Sequence, residues 1–299
     1  MRRVLLAPGL VLSIVAAAPA QDAPPPAFDW ISILNMPFYP ASGGLMVRDL
    51  QLLLLPAGTT TGQLLVQRGA EVLLRDPLAI QTTEYPAVFV LSRTNPGGLT
   101  LAQAGDLTMA FQVGDRTITE VPLTLTQVAG GDAYNPTRTW VRDGPWRTLA
   151  FIAVPTDQPT TALRVCWWSS IREFASRAPG GVTARIRRGT TEVGRTRGPL
   201  HVSDNDWQHR CADLSVPPAE RTLLNMAGLT DGSYTLALEA DGGVVVKRFP
   251  FTVRGGQIAP HARSAVDYSP STAHLPPRAI LRSGNRHALF TISWLEATR

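Results

Sequence analysis

The 299-residue chain reads as an all-β protein made of two tandem sandwich domains, and three observations predict it. Short apolar or alternating runs are broken by Gly, Pro, Asn or Asp every eight to twelve residues or so, the pattern of a sandwich or barrel. Few windows keep helical periodicity for three turns. One set of strand and turn patterns recurs in the same order, about 127 residues later.

Taken in order, residues 1–20 carry Arg2 and Arg3, an apolar run over 4–17 and then Ala18-Pro19-Ala20, the small-x-small pattern of a signal peptide. The mature chain is then expected to begin near Gln21. A membrane anchor is the alternative, opposed by Pro8, Gly9 and Ser13 and by a run short of the ~20 residues that a spanning helix needs. The later apolar runs at 50–55 and 149–154 are shorter still, so no stable membrane insertion is expected after cleavage. Residues 21–26 form a Pro-rich leader, followed by domain 1 over 27–130, a linker over 131–138 and domain 2 over 139–256. A Pro-containing extension over 257–299 ends in an alternating strand with Phe290, Ile292 and Trp294. That strand wants a partner, either an edge of domain 1 or a second protein.

Strand-like runs fall at 63–68, 71–74, 87–91, 107–113, 163–168, 234–240 and 244–253, with single helical turns expected in 171–175 and 219–226. The repeat is carried by GDLTMAFQV at 105–113 against GSYTLALEA at 232–240, and by VPLTL at 121–125 against FPFTV at 249–253. Upstream, Arg68-Gly69 and Arg188-Gly189 each sit between two strands, and each pair of strands closes on Pro-Leu. A unit of this size is a sandwich, too long for a solenoid repeat.

The run from Leu229 through Thr230, Asp231, Gly232 and Ser233 to Tyr234, followed by the Asp241-Gly242-Gly243 hairpin and a closing strand, resembles the last two strands of bacterial immunoglobulin-like or fibronectin type III-like domains. The resemblance covers about 25 residues of each copy and implies a structural tyrosine corner at Tyr234, its hydroxyl bonding back to upstream backbone. Leu107 takes that place in the first copy, where the corner is expected to be missing. The cysteines depart from the antibody pattern, because Trp167 and Trp168 directly follow Cys166 and His209 stands where a tyrosine is expected before Cys211.

Cys166 and Cys211 are the whole cysteine complement, and an even pair in an exported chain is expected to bridge. Such a bridge stabilises by about 4 kcal/mol in the chain-entropy model; two free buried thiols are the alternative. Together with the absence of any Asn-x-Ser/Thr site with x other than Pro, this points to a bacterial periplasm or exterior.

Without Arg2 and Arg3 the formal charge falls from +5 to +3, too small and too scattered an excess for nucleic acid. Of the basic residues, 27 are arginine and only Lys247 is lysine. No Gly-x-Ser-x-Gly, Ser-x-x-Lys, His-Glu-x-x-His or Cys-x-x-Cys is present, so no catalytic residue, metal ligand or cofactor is assigned. The turn from His201 to His209 holds Asp204 and Asp206 for calcium or two histidines for a transition metal; a polar turn ahead of Cys211 is the favoured reading, because no third ligand recurs at calcium-loop spacing.

Two surface candidates remain. Arg185, Arg187, Arg188, Arg195 and Arg197 line one hairpin and suit a carboxylate or phosphate partner, or a solvated edge protected by charge. Trp140, Trp146, Trp167, Trp168 and Trp207 cluster in domain 2; adjacent Trp167 and Trp168 must point to opposite faces of a strand, so at most one belongs to the core unless the other is covered, and the second either reaches a ligand or an interface or, as the favoured reading has it, packs over the disulfide. The expected function is a non-enzymatic exported binding or scaffold unit contacting other envelope or extracellular proteins. The alternatives are carbohydrate binding through the tryptophan-rich domain and an enzyme with a dispersed site.

Overall fold

The computed structural model describes residues 38–41, 44–47, 52–54, 61–82, 88–93, 99–101, 103–129, 138–155, 162–174, 180–203, 205–218, 221–259, 278–283 and 286–298. The expected signal segment, the Pro-rich leader and nearly all of the expected linker lie outside these residues. The chain is all-β, its only helical pieces being 3-10 turns among the described residues.

The first half contains β1 (Phe38–Ala41), β2 (Gly44–Val47), β3 (Leu52–Leu54), β4 (Thr61–Arg68), β5 (Glu71–Thr82), β6 (Val88–Arg93), β7 (Leu99–Leu101), β8 (Gly105–Val113), β9 (Arg116–Ala129) and β10 (Arg138–Asp143). The second contains β11 (Leu149–Pro155), β12 (Arg164–Ser169), β13 (Val182–Arg188), β14 (Thr191–Thr196), β15 (Gln208–Ser215), β16 (Gly232–Ala240), β17 (Val244–Arg254), β18 (Gln257–Ile258), β19 (Arg278–Ser283) and β20 (Arg286–Glu296).

A seven-stranded sheet runs β10-β9-β8-β4-β5-β6-β3, and a ten-stranded sheet runs β18-β17-β16-β13-β14-β15-β12-β11-β20-β19. The first seven positions of the second sheet repeat the first sheet strand for strand, in both spatial and sequence order. The register repeats as well. Gln67 opposes Thr108 as Arg187 opposes Thr235, and bulges fall at equivalent places, between Val66 and Gln67 as between Ile186 and Arg187, and between Phe111 and Gln112 as between Leu238 and Glu239. In each copy a hairpin arginine reaches back over the start of the next long strand: Arg68 donates to the Ala104 carbonyl at 3.2 Å and Arg188 to that of Asp231 at 2.9 Å. Two of the sequence matches lie within these paired strands; the third spans the β4–β5 and β13–β14 hairpins, its second Pro-Leu falling just past β14 where Leu200 bridges to Val182.

The ten-stranded sheet folds on itself. Its two halves are joined at β14–β15 by only two residue pairs. One core takes Ile152, Val165, Trp167 and Leu295 from the β15-β12-β11-β20 half and Ile186, Leu236, Phe249 and Val253 from the β17-β16-β13 half, so the halves face one another as a sandwich.

Three expectations change. β20 pairs along β11, from Leu149 opposite Glu296 to Pro155 opposite Phe290, so the C-terminal strand completes the second sheet in cis and does not reach an edge of the first copy. β10, expected to open domain 2, pairs with β9, which moves the junction to Gly144. The expected helical turn in 219–226 shrinks to a 3-10 turn at Met226–Gly228, because the preceding chain is held extended: Leu224 is buried and its carbonyl accepts from the Leu163 N–H while its N–H donates to Leu214. The turn expected in 171–175 is present as a 3-10 turn at Ile171–Glu173.

Candidate functional site

The functional candidate is a cleft of about 610 Å³ at the junction between the two sheets. It begins where β10 ends. Asp143 closes β10, Gly144 follows, and a 3-10 turn at Pro145–Arg147 leads into β11. Gly144 is required by packing: a side chain there would strike the ring of Trp146 at 2.6 Å, and that ring is buried and lies 5.4 Å beneath the Arg142 guanidinium. Arg142 is itself tied to the second copy, its N–H and Nε donating to the two carboxylate oxygens of Asp206 at 2.9 and 2.8 Å.

The opposite wall comes from three further elements. Ser170 and Glu173 form a reciprocal capping box on the 3-10 turn after β12. This orients Glu173 so that one carboxylate oxygen accepts from the Ser170 N–H and the other lies 2.5 Å from Lys247 Nζ on β17. The Lys247 ammonium also donates to the Trp168 carbonyl at 3.3 Å and stands 4.7 Å from the Trp207 ring centre. Asp143 accepts from both terminal nitrogens of Arg172 at 3.2 Å and from Trp207 Nε1 at 2.7 Å. Thr298, just past β20, completes the rim and donates to the Arg248 carbonyl.

Burial raises the Asp143 carboxyl, but hydrogen bonds from Arg172 and Trp207 and the positive charges of Arg172 and Arg147 outweigh it and hold the group below the usual carboxylate range. Burial dominates the inner pair, pushing Glu173 up against the pull of Lys247 and Lys247 down against the pull of Glu173. The buried charges thus satisfy one another. Arg147 is different: its side chain is 60% exposed and its nearest carboxylate, Asp143, is 3.9 Å away. A second depression of about 530 Å³ opens on the first-copy side of the same turn, lined by the hydrogen-bonded Asp106 and Thr124 and again by Arg147. One exposed guanidinium therefore stands between two concavities. Neither is lined by a histidine among the described residues.

The sequence candidates fall elsewhere. Arg185 and Arg187 both pair with Glu239, at 2.8 and 2.7 Å, Arg185 also with Glu192, and Arg195 lies 3.8 Å from Glu192. Arg188 stacks over Tyr234 and donates to Thr230 and Asp231. Only Arg197 of the five lies exposed with no such contact described. The hairpin is therefore a laced network and not an open basic patch. Tyr234 donates its hydroxyl to the Thr230 carbonyl at 2.7 Å, four residues upstream.

Neither Trp167 nor Trp168 reaches solvent. They do point to opposite faces, Trp167 into the core, but the outer face that carries Trp168 is itself closed, with Phe151, Trp168 and Trp294 all buried. Trp146 and Trp207 are buried too, and Trp140 is half-buried, so these residues form no exposed aromatic strip. Among the described residues, His201 and Asp206 of the His201–His209 turn do not converge on a metal: His201 Nδ1 lies 3.0 Å from the Gly180 carbonyl and Asp206 serves Arg142, while Asp204 lies outside the described residues. Cys166 and Cys211 are bridged, between directly opposed residues of the adjacent strands β12 and β15.

Sequence reasoning missed the cleft, because Asp143, Glu173, Trp207 and Lys247 come from four separate elements and form no motif. The one available signal was the solitary lysine among 28 basic residues. Compared with family models, curated proteins and solved structures, the chain matches none.

Proposed function

We propose that the chain is an exported, non-enzymatic binding or scaffold protein, and that it contacts another envelope or extracellular protein at the junction turn Pro145–Arg147. The observation that carries this reading is the exposed Arg147 guanidinium standing between two concavities on a braced turn. A guanidinium fork so placed suits a carboxylate presented by a partner. The inner charges are already matched, which favours recognition at the rim over chemistry in the cleft.

Export is supported by the disulfide and by the signal-like pattern of residues 1–20. No helix among the described residues is long and apolar enough to cross a membrane. An immunoglobulin-like or fibronectin type III-like identity for the second sandwich is supported by its layers, β11-β12-β15 against β17-β16-β13-β14, an order compatible with A-B-E against G-F-C, and by the Tyr234 hydrogen bond on the strand equivalent to F. The disulfide departs from that pattern, since it joins neighbours in one layer and does not cross between layers.

The test is affinity capture from the native envelope fraction with wild type and with Arg147→Glu, read by mass spectrometry. A partner recovered by wild type and lost by the variant supports the proposal. The same proteins recovered by both would remove it.

A further inference from the structure

The outer face of the β15-β12-β11-β20 layer holds a constellation that the junction cleft does not use. Residue pairing places Trp294, Phe151, Cys166 and Cys211 in one row across four strands, with Trp168 opposite His209 beside it. The sulfur of Cys211 lies 3.5 Å from His209 Nε2, and the two sulfurs and one ring nitrogen all fall within 4.8 Å of one another. Aromatic rings wall the group: His209 stacks on Phe151 at 5.8 Å and tilts against Trp168 at 4.8 Å, while Trp294 backs Phe151 at 5.1 Å. Cys166 is buried, whereas Cys211 and His209 are half-buried.

We propose that, once the Cys166–Cys211 bond is reduced, Cys166, Cys211 and His209 form a three-coordinate site for a cuprous ion. Reduction by a dithiol transfers two electrons and two protons to the bridge, giving two thiols and leaving the dithiol as its own disulfide. The cuprous ion then displaces both thiol protons and takes the two thiolates and His209 Nε2 as ligands. Thiolate and imidazole donors in an apolar shell select a soft ion. Zinc on these three ligands needs water as a fourth, whereas a cuprous ion is complete with three, and the ring-walled setting favours the ion that needs no water; no fourth histidine, cysteine or carboxylate joins this group among the described residues. The disulfide is thus the closed form of the site, and the aromatic row keeps the two strands in place when it opens.

The test titrates the dithiol-reduced full chain with cuprous ion against bathocuproine disulfonate, alongside the oxidised chain and the reduced His209→Phe variant, which keeps a ring in the aromatic row. Expected are one cuprous ion per reduced chain, none on the oxidised chain, at least tenfold weaker binding by the variant, and X-ray absorption showing two sulfurs and one nitrogen around copper. Equal binding by oxidised and reduced chains would overturn the proposal, as would sulfur-only coordination. Loss of the β-type circular dichroism on reduction would overturn it too, since the site depends on the paired strands.

Discussion

Lys247 shows how much one residue can organise. Its ammonium is shared among the Glu173 carboxylate, the Trp168 carbonyl and the Trp207 ring, joining β17 to two loops of the opposite layer. Removing one member of a buried ion pair strands the other, at a cost of about 3 kcal/mol or more. Lys247→Met should therefore lower the urea midpoint at pH 7, and adding Glu173→Leu should restore at least half of the loss, because no charge is then left without its partner. A pH effect belongs to His209. Unfolded, its imidazole titrates near the ordinary 6.5; folded, burial holds it at about 3. Between those values the unfolded chain binds the extra proton, so stability present above pH 6.5 is lost as the pH falls through that window. Urea midpoints at pH 7 and pH 4 should drop less in His209→Phe than in wild type; an equal drop would contradict the burial of a neutral ring.

At the scale of elements, the two copies allow each local device to be read twice. Gly105 and Gly232 open equivalent strands at φ 122° and 149°, conformations that suit glycine. A side chain at Gly232 would also meet Arg188 at 2.8 Å, whereas at Gly105 the nearest atom of Arg68 is 4.0 Å away. Both Gly→Ala changes should destabilise, by about 1 kcal/mol at 105 and about 2 at 232, and thermal unfolding of the two variants would rank them. β20 makes a larger claim: it covers an edge of β11 and contributes buried Phe290, Ile292, Trp294 and Leu295. A chain ending at Gly256 should lose the second sandwich and aggregate, read by circular dichroism and light scattering. The glycine turns and alternating runs that mark β4, β8, β13 and β16 were legible in the sequence because they are local. The partner of β20 was not, since its pairing with β11 spans about half of the chain and many apolar edges would accept it. The tryptophans were legible in part for a related reason: alternation sends Trp167 and Trp168 to opposite faces, but nothing local says whether an outer face is covered.

For the whole molecule, the recurrence of seven strands in one order is the main finding about the fold, and the sequence repeat pointed to it through three short matches. What the copies do not share is what singles out the junction. The second sheet adds β11, β20 and β19, and the turn between β10 and β11 is braced from both sides, by Arg142 with Asp206 and by Asp143 with Arg172 and Trp207. Such a site assembles only when distant segments meet, which is why no motif announced it. The most direct measurement is photo-crosslinking in the exporting cell, with a photoreactive residue in place of Arg147 and, as control, of exposed Arg254 at the far end of β17. The account predicts a discrete crosslink to another protein from position 147 and none from 254. The same products from both positions, or none from 147, would contradict it.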